Sequence, residues 1–168
     1  MRVGILGSGL MGGKLGTIFA RAGHDVVFSY ARSEQKLKRL AREAKGKARA
    51  GTPGEAAREA DALLLAVHWS RVDDVLKQAG DVSGKVIVSC SLPMNADDTG
   101  LVIAHTSSGA EQLAQRVPQA RIVSAIDEAG SCSFAPSLEH PKQHFARHST
   151  ERGHDPGLGN SLGQRLSA

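Results

Sequence analysis

A glycine-rich segment that directly follows the first apolar run limits what this chain can fold into. The run Arg2–Leu6 leads into Gly7-Ser8-Gly9-Leu10-Met11-Gly12, whose glycines have the spacing G-x-G-x-x-G. The residues after it have the periodicity of a helix. Such a loop between a strand and a helix is typical of a site for the pyrophosphate of a dinucleotide.

A different physical requirement explains each glycine of this segment. Gly7 permits a tight turn, Gly9 lets a pyrophosphate approach the backbone, and Gly12 lets the helix pack closely on the strand. The N–H groups at the start of the helix then face the phosphate oxygens. A glycine-rich turn without a ligand is the alternative.

Apolar runs and helical patterns alternate along the rest of the chain. The strand candidates are 2–6, 24–30, 62–67, 85–90 and 121–125, and the helix candidates are 13–22, 33–44, 53–60, 70–79 and 108–117. In the first helix, Leu15, Ile18 and Phe19 share the predicted inner face. Capping-box patterns begin at Thr52, Ser70 and Ser108. The alternation predicts an α/β fold, a Rossmann-type doubly wound parallel sheet in three αβα layers.

Composition divides the chain near residue 125. Of the 43 residues from 126 to 168, 12 are apolar, and neither strand nor helix periodicity persists there. We therefore predict a cofactor-binding domain over 1–125 and a low-hydrophobicity, disordered tail over 126–168. His140, His144 and His148 recur at helical spacing in the tail. Because Pro141 interrupts that pattern, no metal site is predicted.

Composition also excludes several classes of protein. No apolar run reaches 18 residues, so no membrane span is predicted. Two cysteines supply neither a disulfide framework nor a zinc site, and the expected location is the reducing cytoplasm. The net charge of +4 invites a nucleic-acid partner, but one Trp, one Tyr and four Phe offer few stacking surfaces. We expect no nucleic-acid and no membrane partner.

The end of the second strand indicates which dinucleotide is bound. An NAD site places a carboxylate there to bond the ribose 2′-hydroxyl. Residues 28–33 contain no carboxylate and instead supply Ser29, Arg32 and Ser33, with Lys36 one helical turn later. A guanidinium group suits a 2′-phosphate, so these residues favour NADP. A helix-capping Ser33 with a solvated Arg32 is the alternative.

The chain resembles the NADP-dependent oxidoreductases of the coenzyme F420-dependent family over residues 1–125. The likeness is carried by the glycine segment and by Ala22–Val26, Ser29 with Arg32, Ala60–Trp69, Gly84–Val88 and the helix of Ser108 to Ala114.

The resemblance implies a cofactor site assembled from three segments. Gly7 to Met11 hold the pyrophosphate, and Ser29, Arg32 and Ser33 hold the 2′-phosphate. Ala66, Val67 and His68 lie beside the nicotinamide. A homodimer and a monomer both stay open.

The chain departs from the family pattern at two strand ends and in the tail. The family has Pro at the position of His68 and Asn-Pro at Leu92-Pro93. His68 follows a core strand, where a ligand-facing residue is expected, so it is the candidate catalytic residue; a histidine that only begins a helix is the alternative. The change in composition after Ala125 suggests truncation or a shifted reading frame.

The sequence therefore predicts an oxidoreductase that transfers hydride between NADPH and a small acceptor, F420 or another flavin-like molecule. A reductase of the pyrroline-carboxylate or hydroxyacid type is one alternative. A non-catalytic NADP-binding module that lacks its substrate half is the other.

Overall fold

The computed structural model describes residues 1–103 and 107–124, where one parallel sheet organises the chain. Its strands are β1 Arg2–Leu6, β2 Asp25–Ser29, β3 Ala48–Ala50, β4 Ala62–Leu65, β5 Val86–Ser89 and β6 Arg121–Ser124. They lie in the order β3-β2-β1-β4-β5-β6. The strand order reverses between β1 and β4, and a crevice forms at such a point. The predicted α/β Rossmann-type fold is confirmed. The predicted tail, 126–168, with His140, His144 and His148, lies outside the described residues.

Helices cover both faces of this sheet. They are α1 Leu10–Arg21, α2 Glu34–Ala44, α3 Pro53–Glu59, α4 Val72–Ala79 and α5 Gly109–Arg116, with a 3-10 turn at Trp69–Arg71. One apolar cluster joins Ile5 and Phe28 to α1 and α2. The other joins Leu6 and Ile87 to α3, α4 and α5. Because both faces are buried, the middle residues of β1, β2 and β4 are apolar.

The inner face of α1 is made of small residues, which differs from the prediction. Gly12, Gly13, Gly16 and Ala20 are buried, whereas Ile18 is 47 % exposed. A Cβ on Gly16 would lie 2.4 Å from a ring carbon of Phe28. The helix therefore approaches the sheet too closely for large side chains on that face, and the predicted burial of Ile18 is wrong.

The sequence pattern also missed β3. This strand has three residues, Ala48–Ala50, at the edge of the sheet, and the alternation of an alanine-arginine-alanine run is too short to indicate a strand. Its pairing with β2 rather than its own composition determines its conformation. No helix in the described part of the chain is long and apolar enough to cross a membrane.

Two of the predicted capping boxes are present. The Thr52 hydroxyl accepts the N–H of Glu55 (3.2 Å) while the Glu55 carboxylate accepts the N–H of Thr52 (2.7 Å). Ser108 and Glu111 repeat this arrangement at α5. These reciprocal bonds satisfy N–H groups that the first turn of a helix leaves without partners.

Replacing Thr52 by alanine is expected to lower the free energy of unfolding by about 1 kcal/mol, because the Glu55 N–H loses its acceptor. Thr17→Ala is the control, since the Thr17 hydroxyl donates to the Gly13 carbonyl inside α1 and caps nothing. Urea unfolding measures both variants. Equal stability of the two would contradict a capping role for Thr52.

The capping carboxylates also make stability depend on acidity. The N–H of Thr52 chiefly lowers the pKa of Glu55, and that of Ser108 lowers the pKa of Glu111. A carboxylate with a lowered pKa stabilises the folded state while it is ionised. The contribution of Glu55 and Glu111 to the free energy of unfolding is therefore complete above the ordinary pKa of 4.5 and is lost as the pH falls below it. The double variant Glu55→Gln with Glu111→Gln is expected to lose less stability than the parent between about pH 6 and pH 3 in urea titrations. A parallel loss in both proteins would refute this coupling.

Candidate cofactor site

The glycine loop that joins β1 to α1 has a shape that side chains would prevent. Gly7 has φ +110°, and a Cβ there would lie 2.4 Å from the Ala66 carbonyl oxygen. A Cβ on Gly12 would lie 1.9 Å from the Gly7 carbonyl oxygen. At Gly9, by contrast, a Cβ would meet no atom within 4 Å. Gly7 and Gly12 are therefore needed for the turn itself, while Gly9 borders open space.

Two buried serines fix this loop against the end of β2. Ser8 donates its hydroxyl to the Ser29 carbonyl (2.8 Å), and Ser29 donates its own to the Ile5 carbonyl (2.7 Å). The N–H groups of Gly7 and Ser8 donate to the carbonyls of Ser29 (3.2 Å) and Tyr30 (3.1 Å). Ser29 is fully buried, so the structure does not bring its hydroxyl to the predicted 2′-phosphate contact; the hydroxyl bonds within the sheet instead.

The first turn of α1 presents its backbone to the open side of the loop. Gly9 is the N-cap and supplies no side-chain acceptor, and the first turn contains no acidic residue. The first turn of any helix leaves its N–H groups without intrahelical partners. With the positive end of the helix dipole, the N–H groups of Leu10, Met11 and Gly12 form a setting suited to an anion.

A cavity of about 1230 Å³ lies along this edge of the sheet. It is large enough to receive a dinucleotide. The predicted site residues that line it are Gly7, Ser8, Gly9, Leu10, Arg32, Lys36, Ala66, Val67 and His68. The structure thus brings together the three predicted segments, which are far apart in the sequence. Met11, Gly12, Ser29 and Ser33 do not line it.

The charged groups along the cavity leave cations available. Arg32, Lys36, Lys38 and Arg71 line it, together with the carboxylates of Glu34 and Glu55. Glu34 pairs with Lys38 (2.6 Å), and Glu55 is used in the Thr52 cap. Within residues 1–103 and 107–124, no carboxylate lies at ion-pair distance from Arg32 or Lys36, whereas the charge of Arg71 acts on Asp74. This balance suits a ligand with several negative charges.

Ser33 has a structural role next to Arg32. Its hydroxyl accepts the N–H of Lys36 (3.3 Å) and caps α2. Arg32 itself is exposed at the mouth of the cavity. The guanidinium is therefore placed to meet a phosphate, while the serine hydroxyl is already used at the helix start.

His68 begins the 3-10 turn after β4, and both of its ring nitrogens have protein partners. Nδ1 accepts the N–H of Ser70 (3.2 Å) and lies 2.8 Å from the Ser70 hydroxyl. Nε2 then carries the proton and donates it to Asp98 (3.0 Å). Thus His68, not Ser70, caps this turn, and the predicted capping box at Ser70 is wrong. A catalytic role for His68 stays a prediction.

Sequence reasoning missed several residues of the cavity wall. Tyr30, Thr52, Arg71 and Gln78 all line it. Tyr30 directly follows β2, and Thr52 lies just beyond Gly51 after β3, so recognising β3 would have pointed to Thr52. Arg71 and Gln78 depend on the orientation of α4, which no local pattern reveals. Within the described residues, no group of His, Cys, Asp or Glu side chains is placed to hold a metal ion.

The model of the family described as "NADP oxidoreductase coenzyme F420-dependent" matches residues 2–93, more than half of the chain. The chain belongs to this family. The matched residues contain the glycine loop, Arg32 and the β4 end, and with them every described residue that lines the cavity. Membership of the F420-dependent NADP oxidoreductases supports a nicotinamide cofactor and an oxidoreductase role.

Solved structures resemble this fold at low sequence identity. A candidate F420-dependent NADP reductase from Arthrobacter sp. FB24 has a TM-score of 0.65 and 22% identity, covering 75% of this chain and 62% of its own. A hypothetical protein from Sinorhizobium meliloti has a TM-score of 0.64 and 22% identity, with coverages of 75% and 60%. A 3-hydroxyisobutyrate dehydrogenase from Salmonella typhimurium has a TM-score of 0.53 and 22% identity, with coverages of 73% and 40%. The chain thus spans about three-fifths of the length of the first two.

Proposed function

We propose that this chain binds NADP(H) and serves hydride transfer between NADPH and F420 or another flavin-like or small acceptor. The observation that carries the proposal is the single cavity wall shared by the glycine loop, the β4 end and Arg32, which pairs with no carboxylate in the described part of the chain. When bound, the nicotinamide ring supplies or accepts the hydride. Family membership supports the same chemistry.

Different residues of the chain would bind different parts of NADP(H). The N–H groups of Leu10, Met11 and Gly12 would hold the pyrophosphate at the start of α1. Arg32 and Lys36 would hold the 2′-phosphate, because their charges lack carboxylate partners in the described residues. Ala66, Val67 and His68 would border the nicotinamide end, where the backbone of β4 leaves the sheet.

For hydride transfer, the protein must chiefly orient the nicotinamide ring against the acceptor. Proton transfer by a side chain matters less. The apolar side chains of Ala66 and Val67 line the β4 end of the cavity, so this part of the wall would suit the nicotinamide ring. The ring orientation of His68 is fixed by Ser70 and Asp98, so His68 would shape this end of the cavity.

Calorimetric titration of the whole chain with NADPH and with NADH tests the cofactor. We expect NADPH to bind at least about tenfold more tightly, as the charge-assisted bonds of one phosphate can supply. Equal affinity would contradict the choice of NADP, and absence of binding by both would contradict a dinucleotide site.

Loss of NADPH absorbance in the presence of F420, and separately of a free flavin, tests turnover. Binding without turnover of either acceptor would favour the second candidate, a module that binds NADP without catalysis. One observation favours that candidate: both ring nitrogens of His68, the predicted catalytic residue, are already bonded.

A further inference from the structure

Tyr30 has a backbone conformation that is unusual for an aromatic residue. It directly follows β2 and has φ +54°, in the left-handed region. Bulky side chains rarely adopt this region, and they keep it only where the surroundings hold them. Tyr30 lines the cofactor cavity and immediately precedes Ala31 and Arg32. The contacts that hold the Tyr30 backbone in this conformation therefore also determine the position of Arg32 after β2.

Two bonds hold Tyr30, one from its backbone and one from its side chain. Its carbonyl accepts the N–H of Ser8 (3.1 Å) from the glycine loop. Its hydroxyl donates a short hydrogen bond to the Asp74 carboxylate on α4, and Gln78 donates to the same oxygen (3.2 Å). The ring is half-buried against the apolar cluster of α3 and α4. Tyr30 thus connects the glycine loop, the Arg32 segment and α4.

The protonation states keep this connection intact near neutral pH. Burial, followed by the bond to Asp74, raises the pKa of the Tyr30 hydroxyl, which stays a donor. The bond from Tyr30 chiefly lowers the pKa of Asp74, which stays an acceptor. Neither group titrates in the range where the cofactor would be bound.

We propose that Tyr30, through its bond to Asp74, is a positioning residue that sets the preference for NADP over NAD by placing Arg32. This inference rests on the proposed function. The two bonds of Tyr30 have separable consequences. The carbonyl bond to Ser8 supports the pyrophosphate loop, which NAD and NADP would share. The hydroxyl bond acts on the turn that leads to Arg32, which only the 2′-phosphate would contact.

Tyr30→Phe tests this separation, because it removes the hydroxyl and keeps the ring and the carbonyl bond. The dissociation constant for NADPH is expected to rise about fivefold to tenfold while that for NADH changes by less than about twofold. Asp74→Ala should reproduce the change, and Asp74→Asn should largely restore the preference because its amide oxygen still accepts the Tyr30 proton. The Tyr30→Phe, Asp74→Ala double variant should match either single one.

Asp73→Asn is the matched control, since the neighbouring Asp73 pairs with Arg116 (3.0 Å) and does not line the cavity. Thermal unfolding of every variant shows whether it is folded. An unchanged NADPH-to-NADH ratio in Tyr30→Phe, an equal loss for both cofactors, or a lower melting temperature as the one effect of Asp74→Ala would each overturn the inference. If the parent protein does not prefer NADPH to NADH, the proposed choice of NADP is contradicted. That outcome is distinct from a contradiction of the positioning role of Tyr30, which requires a parental preference that the variants leave unchanged.

Discussion

Replacing Gly9 by alanine is expected to weaken NADPH binding about thirtyfold while the protein stays folded. The added Cβ would meet no protein atom within 4 Å, and the backbone at Gly9, with φ −73° and ψ −150°, accepts alanine. Alanine is a poorer N-cap than glycine, so we expect a loss of stability below about 1 kcal/mol. The methyl group instead occupies the space where the pyrophosphate would approach the backbone.

Gly12→Ala provides the contrast within the same loop. Its Cβ would lie 1.9 Å from the Gly7 carbonyl oxygen and 3.2 Å from the Ala66 Cβ, so the turn must move. We expect a loss of about 3 kcal/mol in the free energy of unfolding, as for a severely overpacked site. Calorimetry with NADPH and urea unfolding separate the two effects. NADPH binding by Gly9→Ala at the parental affinity would place the pyrophosphate elsewhere.

The second large effect is expected for Arg32→Ala, which should lower NADPH affinity by a factor of about ten to one hundred. The guanidinium is exposed at the cavity, and no carboxylate in the described part of the chain competes for it. NADH affinity should change by less than about twofold because NADH has no 2′-phosphate. Parallel titrations with both cofactors measure the ratio.

Arg39→Ala is the control for the loss of one positive charge. Arg39 lies on the same helix as Lys36, pairs with Glu43 (3.6 Å) and does not line the cavity. If Arg39→Ala weakened NADPH binding as much as Arg32→Ala, the effect would come from the overall charge. Raising the salt concentration should also weaken NADPH binding more than NADH binding.

The sequence predicted the features of the fold that local patterns determine. The alternation of apolar runs with helical segments, and the capping boxes at Thr52 and Ser108, correctly indicated the sheet and most of its helices. The edge strand β3 was missed because its pairing with β2 is a tertiary effect. On the predicted inner face of α1, Leu15 and Phe19 do pack against the core, but Ile18 is exposed. Periodicity counts large apolar residues, whereas here buried glycines permit close packing of the helix on the sheet.

For the site, the glycine spacing and the residues after β2 correctly indicated segments that line the cofactor cavity. Sequence could not reveal that Ser29 bonds inside the sheet, since a serine at a strand end can face either side. Nor could it connect Tyr30 with Asp74, which are 44 residues apart in sequence.

The bonds between the glycine loop and β2 also divide the amide protons of the loop into two groups. Those of Gly7 and Ser8 donate to the carbonyls of Ser29 and Tyr30 at the end of β2, whereas those of Gly9 to Gly12 lie at the start of α1. Amide hydrogen exchange should therefore be slow at the first two positions and fast at the others. A bound phosphate would slow only the second group, so deuterium uptake along six consecutive residues would report occupancy without any enzymatic assay.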